Sequence, residues 1–340
     1  MKITFIASRC DYANVLTEYT HFLNKHSDIE CRVICESPHP FNYKNKHDWN
    51  WKRNKVPKEA RNILIRFIED SEVIIFAEET WQFDPVARSE NYKALSIIKD
   101  LFGIDLINSD KKICIWHGGT LYRTNHDFFN NHPQRHKLYK SLYSVDLYRL
   151  SPKTDKDEPL LLCQNFDFKY DEFISNFERK AKNKPWKILQ APSNRRSKGT
   201  KEIDEALKSL DLDPTKYSVS TLHKLPQPEI IKAKRDSIFY IDQFNLANGG
   251  YGVASMEALY TQNVTFSTTN NTRDSIYRLT GEYETPIISL GETEEQMRAA
   301  LEKNIKNITE EQIMEYAERV AKWLKKHYSA HSIIERFENL

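Results

Sequence analysis

The chain has 340 residues, 39% hydrophobic and 12% aromatic, enough to build two cores of ordinary size. A formal net charge of +2 implies no global attraction to polyanions, and no apolar run approaches the ~20 residues that cross a bilayer. Five cysteines (Cys10, Cys31, Cys35, Cys114, Cys163) are odd in number and lack zinc or redox spacing, which reads as free thiols in a reducing, cytoplasmic setting.

Residues 2–7 read as a first buried strand, too short in its apolar run for a signal peptide. The loop 8–14 follows at the strand's carboxyl end, where open α/β sheets bind ligands, and carries Asp11. Residues 15–26 read as a helix and 30–35 as a second strand. Segment 37–61 then interleaves Phe41, Tyr43, Trp49 and Trp51 with Lys44, Lys46, Lys52, Arg53, Lys55 and Lys58. Aromatics among cations suit nucleic acid, anionic headgroups or phosphorylated glycans, and they equally suit a surface loop packed on its own domain. Trp49, Trp51 and Arg53 are the acceptor-site candidates here. A helix over 59–69, a strand over 72–77 ending in the pair Glu78 and Glu79, and a helix over 89–102 complete this stretch.

Residues 112–116 read as a buried strand running into His117, Gly118, Gly119, Thr120, Leu121, Tyr122 and Arg123. A histidine at a strand's carboxyl end beside a glycine pair is placed for chemistry; the alternative is a core histidine satisfied by backbone. Gly118, Tyr122 and Arg123 join it as candidates for holding substrate. His126, His132 and His136 lack a metal-ligand spacing, so no metal is expected. A helix over 133–142, strands over 145–150 and 160–163 and a polar turn between those strands lead to a crossover at 165–184, which contains a charged helix over 171–182.

The second half opens with a strand over 187–190, a polar loop with Arg195, Arg196 and Lys198, and a helix that Thr200 can cap. Asp211 and Asp213 have the spacing of a metal-binding pair but follow a helix and precede Pro214, so they read as a helix end. A strand over 218–221, a helix over 228–234 and a strand over 237–241 follow. That last strand ends at Asp242 and Gln243. Gly249, Gly250, Tyr251 and Gly252 then open a helix that contains Glu257. A glycine-rich loop entering a helix after a strand is a ready phosphate site, although taken alone it is also an ordinary strand-loop-helix unit. Glycine is scarce at 9 residues, and six of them cluster at 118–119, 199 and 249–252, which marks places where backbone approaches something closely. A strand over 264–266, helices over 271–279, 294–304 and 311–327, and a strand over 286–289 complete the alternation.

The loop SNRRSKGT followed by a helix, and then YGVASMEALYTQNVTF, resemble the nucleotide-sugar half of GT-B glycosyltransferases, specifically the retaining, family 4-like group. The resemblance implies two doubly wound, Rossmann-like α/β domains facing a cleft. An acceptor-side domain would cover 1–165, a linker 166–185 and a donor domain 186–320, with a C-terminal helix, 321–340, crossing back to the first. It implies that Arg195 and Lys198 act on the donor pyrophosphate, that Glu257 holds the ribose hydroxyls and that His117 contacts the transferred sugar. The family's first motif glutamate falls at Gly249 and is missing, so Asp242 or Gln243 could take its place.

The expected function is therefore metal-independent transfer of a sugar, a hexose or pentose, from a nucleotide diphosphosugar, a UDP-sugar foremost, to a hydroxyl of a glycan or lipid-linked saccharide. No cofactor is required beyond that donor. Two alternatives stand beside it: a phage-type enzyme acting on a hydroxymethylated DNA base, and a non-catalytic nucleotide-sugar binder. No transmembrane segment is expected, while peripheral membrane contact stays open.

Overall fold

A computed structural model of the chain describes residues 1–7, 14–35, 41, 43, 48–50, 58–77, 103–104, 106, 109–118, 120–131, 135, 138–160, 168–245 and 250–340. They fall into two compact units, Met1–Asn165 with Ala330–Leu340, and Phe166–Ser329.

In the first unit the strands are β1 (Lys2–Ala7), β2 (Glu30–Cys35), β3 (Trp49–Asn50), β4 (Val73–Ala77), β5 (Lys112–His117), β6 (Lys140–Tyr143) and β7 (Asp157–Pro159). They form one parallel sheet in the order β3-β2-β1-β4-β5-β6-β7. Strands such as ITFIA and VIIFA are apolar on both faces because a parallel sheet is covered on both. The helices are α1 (Val15–His26), α2 (Lys58–Asp70) and α3 (Thr120–Asn130). The unit is completed from the far end of the sequence by α11 (Ala330–Glu338). Its Phe337 lies 4.9 Å from the Tyr19 ring and 6.3 Å from the Phe5 ring, centroid to centroid.

The second unit holds α4 (Tyr170–Lys182), β8 (Trp186–Gln190), α5 (Thr200–Ser209), β9 (Tyr217–Thr221), α6 (Gln227–Arg235), β10 (Phe239–Ile241), α7 (Val253–Tyr260), β11 (Val264–Ser267), α8 (Arg273–Thr280), β12 (Ile288–Ser289), α9 (Glu294–Leu301) and α10 (Glu310–His327). Its parallel sheet runs β12-β11-β10-β8-β9. Capping boxes start α9 (Thr293 with Gln296) and α10 (Thr309 with Gln312), each satisfying two of the N–H groups a helix start leaves open.

The charged helix expected over 171–182 is α4, which puts Phe173, Phe177 and Ala181 on one buried face, and Phe177 meets the Tyr316 ring of α10 at 6.2 Å. Its Lys180, also buried, donates to the carbonyls of Lys234, Thr261 and Gln262. The last residues of the helix expected over 133–142 belong instead to β6, which pairs with β5 through Leu142 and Tyr143. The strand expected over 145–150 is a turn instead. Ser144 Oγ donates to Asp146, and the Ser144 carbonyl accepts from Leu147 and Tyr148, which winds VDLYRL into a short 3₁₀ turn. The polar stretch before 160 supplies edge strand β7, where Pro159 is tolerated because an edge needs no donor on its outer side. The helix expected over 89–102, the pair Glu78–Glu79 and residues 161–163 lie outside the described residues. Among the described residues no helix is long and apolar enough to cross a membrane.

Candidate functional site

Open parallel sheets bind ligands outside the strand carboxyl ends, at the point where strand order reverses. In the second sheet that point lies between β8 and β10, since β9 follows β8 outward on one side and β11 and β12 follow β10 on the other. The two loops that leave there are the basic loop, 191–199, and the stretch from Asp242 to the glycine-rich entry of α7.

These loops are stitched together by the local sequence. Phe244 N–H donates to the Lys198 carbonyl at 3.0 Å, and Asn245 Nδ2 donates to the Ser197 carbonyl. Gly199 is the N-cap of α5 at φ 62°, and a Cβ there would sit 2.0 Å from the Phe244 carbonyl oxygen, so both conformation and space demand glycine. Thr200 therefore stands one position inside the helix and does not cap it; its hydroxyl is buried without a partner.

Lys198 Nζ donates to Asp242 Oδ1 at 2.8 Å, and Ser255 Oγ, in the first turn of α7, donates to Asp242 Oδ2 at 2.6 Å. Burial alone would raise the Asp242 carboxyl; Lys198, then Ser255 and the more distant Lys234, outweigh it and hold the group below the usual carboxylate value. Arg195 is exposed and leans on Asp204 of α5 at 3.3 Å, and Asp204 also accepts from Gln190 at the end of β8. Arg196 is exposed beside it. Gln243 Nε2 donates to the Gly250 carbonyl, which Ser267 Oγ also meets at 3.3 Å, so the loop carbonyl is turned into the fold. Tyr251 is buried, and a Cβ on Gly252 would meet nothing within 4 Å, leaving the N-terminus of α7 open to approach. The first N–H groups of that helix have no intrahelical partner and favour an anion.

Glu257 does something other than the resemblance implies. Its carboxylate is buried and accepts from Lys234 Nζ at 2.7 Å and Gln227 Nε2 at 2.9 Å, while Lys234 also donates to the Ala254 carbonyl at 2.8 Å. It is the partner of a buried lysine inside the fold. Lys234 lies three residues after Ile231 and shares its buried helical face.

The first unit revises its candidates further. The His117 ring is buried within centroid distances of 4.2 Å from Tyr122, 4.8 Å from Tyr143 and 5.6 Å from Phe129. Burial, with a smaller push from the Arg135 cation, lowers its pKa to about 3, so it is neutral at pH 7 and enclosed by these rings. Tyr122 spends its hydroxyl on Asn130 at 2.7 Å. Gly118 makes room for Trp116, whose indole would lie 2.0 Å from a Cβ there. Arg123 pairs with Asp146. Beneath this aromatic group Asp157 accepts from Arg135, Tyr143 and Thr154. Asp11, Trp51, Arg53 and Gly249 lie outside the described residues, and Trp49 is placed only through its backbone, paired with Ile34. Asp213, of the aspartate pair at the helix end, takes the amide and hydroxyl of Thr215 in a tight turn.

Two doubly wound parallel α/β units, the second with its loops converging at the switch point, define the GT-B fold. Among solved structures, the chain is similar over 100% of its length, and 98% of the other chain, to an alpha-glucosyltransferase in complex with UDP-glucose and DNA containing an abasic site, at a TM-score of 0.60 and 11% identity. A UDP-GlcNAc 2-epimerase from Methanocaldococcus jannaschii aligns over 96% of this chain and 99% of its own at a TM-score of 0.43 and 12% identity. No protein-family model and no curated protein matches the sequence.

Proposed function

We propose that the chain is a glycosyltransferase that takes its sugar from a nucleotide diphosphosugar, a UDP-sugar foremost. The observation that carries this reading is the joining of Lys198 to the first turn of α7 through Asp242 at the β8/β10 switch point, with Arg195 exposed on the same loop as Lys198. Two cations and a helix start at one place suit a diphosphate: arginine offers a fork, lysine a point charge and the helix its free N–H groups. As the sugar departs, negative charge grows on the diphosphate, and contacts that strengthen there lower the barrier. Each charge-assisted contact is worth roughly 1.5–3 kcal/mol, or about one to two decades in rate. In this reading the transfer is metal-independent and retains configuration, both following only from the resemblance to the family 4-like group.

For the acceptor, a hydroxyl of a glycan or lipid-linked saccharide is the first reading. A DNA acceptor is the second, favoured by the basic-aromatic composition of 41–61 and by the DNA held by the glucosyltransferase of similar fold. The test is a thermal-shift screen against UDP-, GDP-, ADP- and CMP-sugars, with and without chelator. A donor at a hundred times its Kd stabilises by about 2.7 kcal/mol, a shift of roughly 5–10 °C for a unit of this size. A shift with one nucleotide class that is unchanged by chelator and lost in Lys198→Gln supports the reading. No shift with any of them refutes it. The same donor, offered with hydroxymethylated DNA and with glycans, then separates the acceptors.

A further inference from the structure

Building on that donor reading, we infer that Asp242 is a positioning residue: it fixes the Lys198 ammonium and the first turn of α7 as one rigid anion cradle, and it does not itself touch the sugar or the nucleotide. The sequence alone suggested Asp242 as a stand-in for the missing glutamate of the donor motif. Its surroundings argue otherwise. The side chain is only 2% exposed, one oxygen takes Lys198 and the other takes Ser255. Its own N–H is locked to the Phe266 carbonyl of β11 at 2.9 Å, so backbone and side chain are both held by the sheet.

The three partners come from three separate pieces of chain. Lys198 belongs to the loop after β8, Asp242 to the end of β10 and Ser255 to the first turn of α7. One buried carboxylate thus ties the cationic half of the cradle to its N–H half. A lysine ammonium carries three donors, so Lys198 keeps two N–H groups for an incoming anion, and its side chain is 20% exposed. Lys198 cannot trade Asp242 for the diphosphate at low cost, because a buried carboxylate stripped of its cation is strongly unfavourable. The lysine therefore binds the anion from its place beside Asp242. A flexible four-carbon side chain gains from this, since the ordering cost is met before the ligand arrives.

The test is a two-by-two cycle of Lys198→Gln and Asp242→Asn, titrated calorimetrically with UDP and, as a control, with uridine. Asp242→Asn is expected to weaken UDP binding about tenfold or more and to leave uridine unchanged. In the Lys198→Gln background the same substitution is expected to add less than about twofold, because the group it positions is gone. Equal losses in both backgrounds would mean that Asp242 supports the fold or meets the ligand directly, and would overturn the inference. Tighter UDP binding in Asp242→Asn would also overturn it, since the carboxylate would then be a rival of the diphosphate. If Asp242→Asn does not fold, Ser255→Ala takes its place, with a several-fold loss expected only when Lys198 is present and an equal loss in both backgrounds counting against. Failure of the unaltered protein to bind UDP would remove the donor reading and this inference together; binding with additive losses would remove the inference alone.

Discussion

Replacing His117 with phenylalanine should make the first unit less sensitive to acid. The ring is enclosed by Tyr122, Tyr143 and Phe129 and stays neutral down to about pH 3, whereas an unfolded histidine takes up its proton near 6.5. Between those values the unfolded chain binds more protons than the native one, so stability is fully present above about 6.5 and drains away as pH falls. From pH 7 to pH 5 the loss from this one group is about 2 kcal/mol, and it reaches about 4 kcal/mol at pH 3. Phenylalanine does not titrate, so the variant should lose about 2 kcal/mol less than the unaltered protein over that interval, whatever constant offset the larger ring brings. The assay is urea unfolding at pH 7 and pH 5 with pulsed hydrogen exchange read on peptides from β5 and β6, which isolates this unit from the other. A stability difference between the two proteins that is the same at both pH values would refute the reasoning and return His117 to an accessible, titrating position.

Glu257→Gln should cost about 3–5 kcal/mol, because it leaves the Lys234 ammonium buried without its counter-charge, and Lys234→Met with Glu257→Leu should cost far less; thermal unfolding of the two variants decides, and a near-normal Tm for Glu257→Gln would contradict the buried pair. Gly199→Ala should destabilise the second unit by at least ~1–2 kcal/mol from the left-handed φ alone and should weaken UDP binding as the basic loop is pushed off the Phe244 carbonyl, with calorimetry and urea titration as the checks. Gly118→Ala should cost roughly 1–3 kcal/mol by driving a methyl group into the Trp116 indole, and an unchanged urea midpoint would show that the indole lies elsewhere.

The alternation of short apolar runs with amphipathic stretches was enough to read two α/β halves, because parallel strands buried on both faces leave an unmistakable VIIFA-like signature. The basic loop and the glycine-rich entry were legible for the same reason: their positions follow from where strands end. What the sequence could not show was which polar groups the fold consumes internally. Glu257 reads as a ligand contact until Lys234 is seen to turn inward from a helix end that carries three cations. The burial of His117 is likewise invisible until Tyr143, at the end of β6, is seen stacked on its ring at 4.8 Å. In both cases the deciding partner is distant in sequence, and periodicity reports only on which face of its own element a residue lies. Thr200 shows the local version: its hydroxyl could cap a helix, yet the cap is Gly199, where the Phe244 carbonyl leaves no room for a side chain.

The return of α11 to the first unit has a consequence for synthesis. Phe337 packs on Tyr19 and Phe5, residues made about three hundred positions earlier, and Ile333 is buried in the same helix. A chain emerging from the ribosome therefore has every element of the second unit, Phe166–Ser329, before the first unit can close its apolar surface. All seven described strands of the first sheet precede the second unit in the sequence, yet that unit's packing is completed only by α11. During that interval β1 and α1 wait with their aromatic face uncovered, and a chaperone that shields apolar surface has its natural target there.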